Sequence, residues 1–350
     1  MNGQRYRWVL ALALTLALAA CGTTPSASGT SPAPAPATAP APAPAPTAPD
    51  KVTFRTDAPA SGYIAPFAVA LKKGFYQAEN LDVTLGEGRG SSTTVQLVAN
   101  GSETFGLADF GTAMQTIAKG APVKGVAVIS QLSPLAIIAH ADKNLTQPSQ
   151  LEGMKIGIVA GGAAAQMIQP FMEANKIDKS KVQIVNVDRA ANIQVFLDRK
   201  VDAMVGWVNY EVPVLKEKGA TVSTLMFAQY GVNTMSLSIL ASDDTIKNKP
   251  KLVERFLRAT FKGWEYAFAH PDEAVDILAG TFENVDKVAA VGQLKNTQQL
   301  LHTDRTKDKP LGWAAAEDVT GSEQILAKYA GLTPIGKPEA YFTNQFIPAQ

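Results

Sequence analysis

Residues 52–85, VTFRTDAPASGYIAPFAVALKKGFYQAENLDVTL, hold a strand, a helix and a second strand in that order. The β-branched and aromatic run at 52–56 reads as the first strand. Residues 64–73 read as a helix stopped at Gly74, and 81–85 as the second strand. The pattern continues outward: a helix at 91–100 stopped by Gly101, a strand at 104–107, a helix at 109–119 and a strand at 123–130. Strand and helix alternating in this way predict an α/β fold, a parallel sheet covered by helices.

The alternation restarts after a turn-rich break at 148–153. Strands are expected at 154–159, 182–187, 202–206 and 221–225, with helices at 163–174, 189–199 and from near Trp207. This is a second α/β lobe. Two apolar segments, 135–140 and 236–240, are read as crossing strands that join the lobes. Beyond them the chain turns helical at 251–269, 272–279, 285–301 and 315–330, with apolar residues at three-to-four spacing. These helices are expected to pack back onto the first lobe. The expected division is 51–138 plus 241–350 for lobe 1 and 139–240 for lobe 2.

The N-terminus decides the compartment. Arg5 and Arg7 precede an apolar run from Trp8 to Ala20. At about 13 residues it suits a signal peptide and is too short to cross a bilayer comfortably. It ends in Leu18-Ala19-Ala20-Cys21-Gly22, small residues before a lone cysteine, the pattern of a bacterial lipobox. Residues 1–21 are thus expected to be a lipoprotein signal peptide, with acyl chains on Cys21 holding the chain at a membrane that faces the periplasm or exterior. Cys21 is the single cysteine, so no intramolecular disulfide can form. Residues 22–50 are almost entirely Pro, Ala, Ser and Thr, too polar and small to offset their ordering entropy. Extended as polyproline II, this tether would reach on the order of 80 Å.

The remaining stretch of about 300 residues suits two lobes. A net charge of +1 argues against a nucleic-acid partner. The chain has three histidines, His140, His270 and His302, and no HExxH, CxxC or GxSxG. Gly86-Glu87-Gly88-Arg89-Gly90 looks like a phosphate loop, but Ser91 stands where a third glycine belongs. No metal, cofactor or catalytic residue is expected.

Particular phrases carry a family resemblance: Ala65-Pro66-Phe67-Ala68-Val69-Ala70, Gly74-Phe75-Tyr76 and Leu81-Asp82-Val83, then Gly106-Leu107-Ala108-Asp109 and Lys119-Gly120-Ala121-Pro122-Val123. Leu151-Glu152-Gly153-Met154-Lys155-Ile156-Gly157, Val201-Asp202-Ala203 and Pro271-Asp272-Glu273-Ala274-Val275 complete them. The chain resembles the periplasmic-binding-protein fold, specifically the binding proteins for nitrate, sulfonates, taurine and thiamine-pyrimidine precursors. The resemblance implies a cleft between two lobes joined by two crossing segments, hinge closure around a small-molecule ligand, and delivery to an ABC permease in the membrane. It implies a monomeric receptor. Some relatives synthesise the thiamine pyrimidine with a cysteine-rich motif that is absent here.

Ligands of α/β sheets bind at the carboxyl ends of strands, where helix N-termini offer free N–H groups. After the first strand this places Asp57 and Tyr63, the latter either stacking on a ring or covering the loop. After the second strand come Arg89, Gly90, Ser91 and Ser92, which hold a polar ligand edge or simply cap a helix. Gly161, Gly162 and Ala163 admit close approach of a ligand or tight packing. Asp109 reads as a plain N-cap. Trp207 and Glu211, four residues apart, are read on one helix face, either as a packed tryptophan and an exposed glutamate or as a plane and a carboxylate for an amino-heterocycle. Their spacing resembles the aromatic–glutamate pair of thiamine-pyrimidine binders. Asn233 is expected to reach the cleft. The preferred ligand is a thiamine-pyrimidine precursor or flavin. The alternatives are a sulfonate-type anion, a pyrimidine-biosynthesis enzyme, or a ligand sensor.

Overall fold

Two five-stranded sheets organise the computed structural model, which describes residues 48–159 and 163–348. Cys21, Gly161 and Gly162 lie outside the described residues. The strands are β1 (Asp50–Arg55), β2 (Leu81–Gly86), β3 (Phe105–Asp109), β4 (Val123–Val128), β5 (Leu135–His140), β6 (Lys155–Val159), β7 (Gln183–Val187), β8 (Ala203–Trp207), β9 (Val222–Met226) and β10 (Leu237–Ser242). The helices are α1 (Ala65–Lys72), α2 (Phe75–Ala78), α3 (Ser91–Ala99), α4 (Phe110–Ile117), α5 (Ala163–Ala174), α6 (Asn192–Leu197), α7 (Glu211–Glu217), α8 (Asp243–Asn248), α9 (Pro250–Ala269), α10 (Pro271–Thr281), α11 (Lys287–Gln298) and α12 (Ala316–Ala330).

The sheets repeat one plan. The first runs β2-β1-β3-β10-β4 and the second β7-β6-β8-β5-β9. Each has a parallel core, β1 with β2 and β3, or β6 with β7 and β8. Each then takes one antiparallel strand in fourth place, β10 or β5. These two inserted strands arrive just after the chain has passed between sheets. Neither is shared: β5 lies wholly in the second sheet and β10 wholly in the first. The expectation that 135–140 and 236–240 are themselves the crossings is therefore corrected. Divisions at 138 and 240 would cut both strands.

The passages between sheets are 129–134 and 231–236, and they are tied to each other. Ser236 N donates to Ser130 O at 2.9 Å and Ile129 N to Leu237 O at 2.7 Å. The Asn233 amide adds two bonds: its Nδ2 donates to Gln131 O at 2.9 Å, and its Oδ1 accepts Ser133 N at 2.7 Å.

The first-lobe core is aromatic because α9 brings one apolar face down on β1, β3, α1 and α2. Pro250 starts α9, whose buried positions Val253, Phe256, Leu257, Thr260 and Trp264 fall at helical spacing. The Phe256 ring stacks 4.2 Å from Phe105 and 5.4 Å from Tyr76. Truncating such a residue to Ala costs about 3–5 kcal/mol. α9 and α10 pack on the first lobe as expected. α11 and α12 depart from the expectation, since each touches both lobes: α11 reaches the turn before α1 and also α7, and α12 reaches α4 and α5.

Candidate functional site

The first-lobe wall is built where β1 and β3 end, beside the loop after β2. Thr56 Oγ1 donates to Ala58 O at 2.7 Å and accepts Gly88 N at 3.0 Å. Thr94 Oγ1 donates to Thr56 O at 2.9 Å, and Gly90 N donates to Asp57 O at 2.7 Å. A Cβ on Gly88 would collide with the Thr56 carbonyl, so only glycine lets the two loops touch. These contacts fix Asp57, half-buried, at the mouth of the sheet. Tyr63 Oη donates to Asp57 Oδ1 at 3.3 Å.

Asp109 closes β3 beside them. It caps α4, accepting Thr112 N at 2.8 Å and Thr112 Oγ1 at 2.9 Å, as its N-cap reading anticipated. Its own N–H donates to Ser91 Oγ at 3.0 Å, which binds the start of α3 to the start of α4. Burial pushes the Asp57 carboxyl up to about 7, and the Asp109 charge nearby adds to the shift while the Tyr63 bond opposes it. Burial also raises Asp109, against the Thr112 bonds. No cation is among the groups acting on either acid. Surface acids behave oppositely: Arg199 holds Asp142 down, and Lys181 holds Glu152 down.

The second-lobe wall is a turn between β8 and α7. Trp207 is the last residue of β8, and α7 begins only at Glu211. The two do not share a helix face, which corrects that reading. Instead the Glu211 carboxylate reaches back, and its Oε2 accepts Trp207 N at 2.7 Å. Tyr210 N donates to Trp207 O at 2.9 Å, and Val208 N to Pro134 O at 2.9 Å. Helix α11 grips the same turn from outside. Asn296 Nδ2 donates to Val208 O at 2.8 Å, Asn209 Nδ2 donates to Thr297 Oγ1 at 3.4 Å, and Gly292 gives room for Pro213.

Glu211 is buried, and burial pushes its carboxyl up to about 7 despite the Trp207 bond. Arg189 is near enough to oppose the shift. Tyr210, by contrast, is 48% exposed, and among the described residues only Val288 and Ile335 are comparably uncovered large apolar side chains. Tyr210 acts electrostatically on Tyr63. Tyr210 is the residue that sequence reasoning passed over. It stands between Trp207 and Glu211, but reading that stretch as helix hid the turn that presents it.

The structure thus brings Asp57, Tyr63, Ser91 and Asp109 together on one wall, with Trp207 and Glu211 on the other. Arg89 and Ser92 are exposed, and Gly90 has φ +117. Ala163 begins α5. Asn233 serves the passages between sheets, where both ends of its amide are engaged. His140 stacks on Phe196 at 4.0 Å, with Nε2 at 2.9 Å from Phe196 O. It borders a cavity of about 440 Å³ with Asp142, Arg199 and Lys218. That cavity lies at the end of β5 remote from Leu135 and shares no residue with either wall. Among the described residues, no group of three His, Cys, Asp or Glu could hold a metal ion.

The family model described as NMT1/THI5 like matches residues 61–274, which include Tyr63, Ser91, Asp109, Trp207 and Glu211. The chain belongs to the NMT1/THI5 like family. A relative named riboflavin-binding protein RibY, from Chloroflexus aurantiacus, is 28% identical over 298 residues, covering 81% of this chain and 82% of its own. A formylaminopyrimidine-binding protein of Halalkalibacterium halodurans is 28% identical, covering 60% of this chain and 64% of its own. A 4-amino-5-hydroxymethyl-2-methylpyrimidine phosphate synthase of Legionella pneumophila is 24% identical, covering 65% and 72%. In fold, this family member is similar to the periplasmic aliphatic sulphonate binding protein SsuA of Escherichia coli. The TM-score is 0.64 at 12% identity, over 82% of this chain and 94% of that one. The fold is that of the periplasmic binding proteins. Among the described residues, no helix is long and apolar enough to cross a membrane.

Proposed function

We propose that this NMT1/THI5 like chain is the ligand-capturing subunit of an ABC importer, a lipid-anchored monomer working outside the cytoplasm. Its ligand is a flat heterocycle bearing N–H donors, of the aminopyrimidine or flavin kind. The observation that carries the ligand class is the pair Asp57 and Asp109: two half-buried carboxyls, raised by burial, with no cation acting on them. An anionic sulfonate would be repelled by the ionised form of these acids and would bind only with them held protonated. A ring with N–H groups would be received by them, with Tyr63 and Tyr210 supplying aromatic faces. The names of the riboflavin- and formylaminopyrimidine-binding relatives agree with that chemistry.

The same chain is read as a binder without catalysis. Cys21 is its single cysteine and belongs to the lipobox, so the described lobes carry no thiol nucleophile. Capture works by hinge closure about 129–134 and 231–236, with a ligand favouring the closed state. Native mass spectrometry of protein purified without refolding tests the reading. A retained aminopyrimidine or flavin is the expected result, and a retained sulfonate would contradict the ligand class. Fatty-acid labelling lost in Cys21→Ala tests the anchor, and labelling that persists would refute it.

A further inference from the structure

We propose that Asp57 is the residue of the first-lobe wall that reads the ligand's N–H donors, and that capture drives a proton off its carboxyl into solvent. The inference rests on the heterocycle reading above and adds to it a named residue and a proton. It starts from what each acid of the site already does. Asp109 is committed, since Oδ1 caps α4 through two bonds from Thr112. Glu211 is committed and covered, since Oε2 holds Trp207 N. Asp57 is half-buried, and beyond a bond from its own backbone its carboxyl accepts a long one, 3.3 Å from Tyr63 Oη. It is the acid of the site least tied to other residues.

The charged and titratable groups around it are few. Tyr63 and Asp109 face it on its own wall. Glu87, from the loop after β2, accepts Ala60 N at 2.6 Å and closes the same loop, which Arg89 then leaves as an exposed residue. From the second lobe Tyr210 acts on Tyr63, and Arg189 acts there on Glu211. No cation is among the groups acting on the Asp57 carboxyl, and burial pushes it up to about 7. A ligand N–H bonds the carboxylate form and favours it. At pH 6 most of the receptor must therefore shed a proton to bind, and at pH 8 almost none must. No covalent bond forms or breaks. The carboxylic acid becomes a carboxylate, and its proton passes to water or buffer. Linkage then weakens binding roughly tenfold from pH 8 to pH 6. A ligand presenting an anion or acceptor would do the reverse and take up a proton.

Riboflavin, whose ring does not titrate between pH 6 and 8, and a formylaminopyrimidine are the probes. Calorimetry at both pH values, in buffers of different ionisation enthalpy, counts the protons released. Close to one proton at pH 6 and close to none at pH 8 is the expected result, with the dependence lost in Asp57→Asn. Carbon-13 titration of aspartate carboxyls in the ligand-free protein should show a midpoint near neutrality that is missing in Asp57→Asn. Should that variant fail to fold, Tyr63→Phe, which removes the opposing bond, should move the midpoint higher. Binding without proton release at pH 6 overturns the inference and leaves the heterocycle reading standing. Release abolished by Glu211→Gln but not by Asp57→Asn overturns the assignment to Asp57. Binding of neither probe overturns the heterocycle reading and this inference with it.

Discussion

Asp57 on the first-lobe wall and Glu211 on the second are both carboxyls that burial pushes to about 7, yet their oxygens are placed differently. Glu211 spends its carboxylate on its own backbone, holding the turn that ends β8. Asp57 is held by its main chain, through Gly90 N, and its carboxyl accepts a long bond from Tyr63 Oη. Helix α11 clamps the Glu211 wall through Asn296 and Thr297, and reaches the first-lobe wall as well, where Gln293 Oε1 accepts Gly62 N at 2.8 Å. A shared shift in acidity thus marks a site without saying which acid meets the ligand. The hydrogen bonds already made decide that, and the first-lobe wall is the one with acceptor capacity left.

The comparison breaks most visibly at its glycines. Gly88 presses on the Thr56 carbonyl, a backbone atom that cannot swing aside. Gly88→Ala should destabilise the protein by about 3 kcal/mol and abolish ligand binding. Gly206, under the second wall, would place a Cβ 3.0 Å from Ile138 Cδ1 and 3.3 Å from the Glu211 carboxyl, both side-chain ends that can give. Gly206→Ala should cost about 1 kcal/mol. Denaturant melts of the two variants make the test, and equal losses would mean the walls are equally rigid.

The next effect is read in pH. Glu211 keeps its proton in the folded state up to about 7, well above the 4.5 of an unperturbed glutamate. Folding therefore binds a proton in that window. The contribution of Glu211 to stability is fully present below 4.5, falls as pH rises toward 7, and is flat above. The loss is on the order of 3 kcal/mol at most. Glu211→Gln keeps an acceptor for Trp207 N and should flatten that decline. An unchanged pH–stability profile in the variant would show that Glu211 is not the desolvated group.

Affinity sharpens the comparison further. Asp57→Ala removes a charged acceptor and should weaken heterocycle binding by about 1.5–3 kcal/mol, roughly ten- to a hundredfold. Glu211→Gln should change it by less than about 0.5 kcal/mol, since its bond to the turn survives. A calorimetric ranking in the opposite order would exchange the roles of the two walls. The smallest effect falls between the walls, at Asn233. Asn233→Ala deletes both amide bonds joining the passages and leaves Ser133 N unpaired, for about 1–2 kcal/mol of stability. Small-angle scattering should then show a wider spread of lobe separations without ligand.

Most of the alternation was readable from residues alone because strand and helix periods differ and glycines mark the stops. α5 spans 163–174, as the pattern predicts. The crossings were not readable. Every residue of β5 and β10 is buried, so neither strand has an exposed side to show where it sits or which sheet it joins. The Trp207–Glu211 stretch misled for a related reason: four-residue spacing fits a helix face, and it equally fits a strand end whose turn is closed by a returning carboxylate. Amphipathic helices such as α12 show that one face is covered without showing by which lobe. Asp109 was legible as a cap, but its neighbourhood with Asp57 comes only from β1 pairing with β3.

The most direct test of the ligand class is a competition titration of the wild-type protein and Asp57→Ala at pH 8 with riboflavin, a formylaminopyrimidine and an alkanesulfonate. The account predicts that one of the two heterocycles binds the wild type, that the alkanesulfonate does not displace it, and that Asp57→Ala loses at least tenfold in heterocycle affinity. Tight alkanesulfonate binding by the wild type, unchanged or improved in Asp57→Ala, would contradict it.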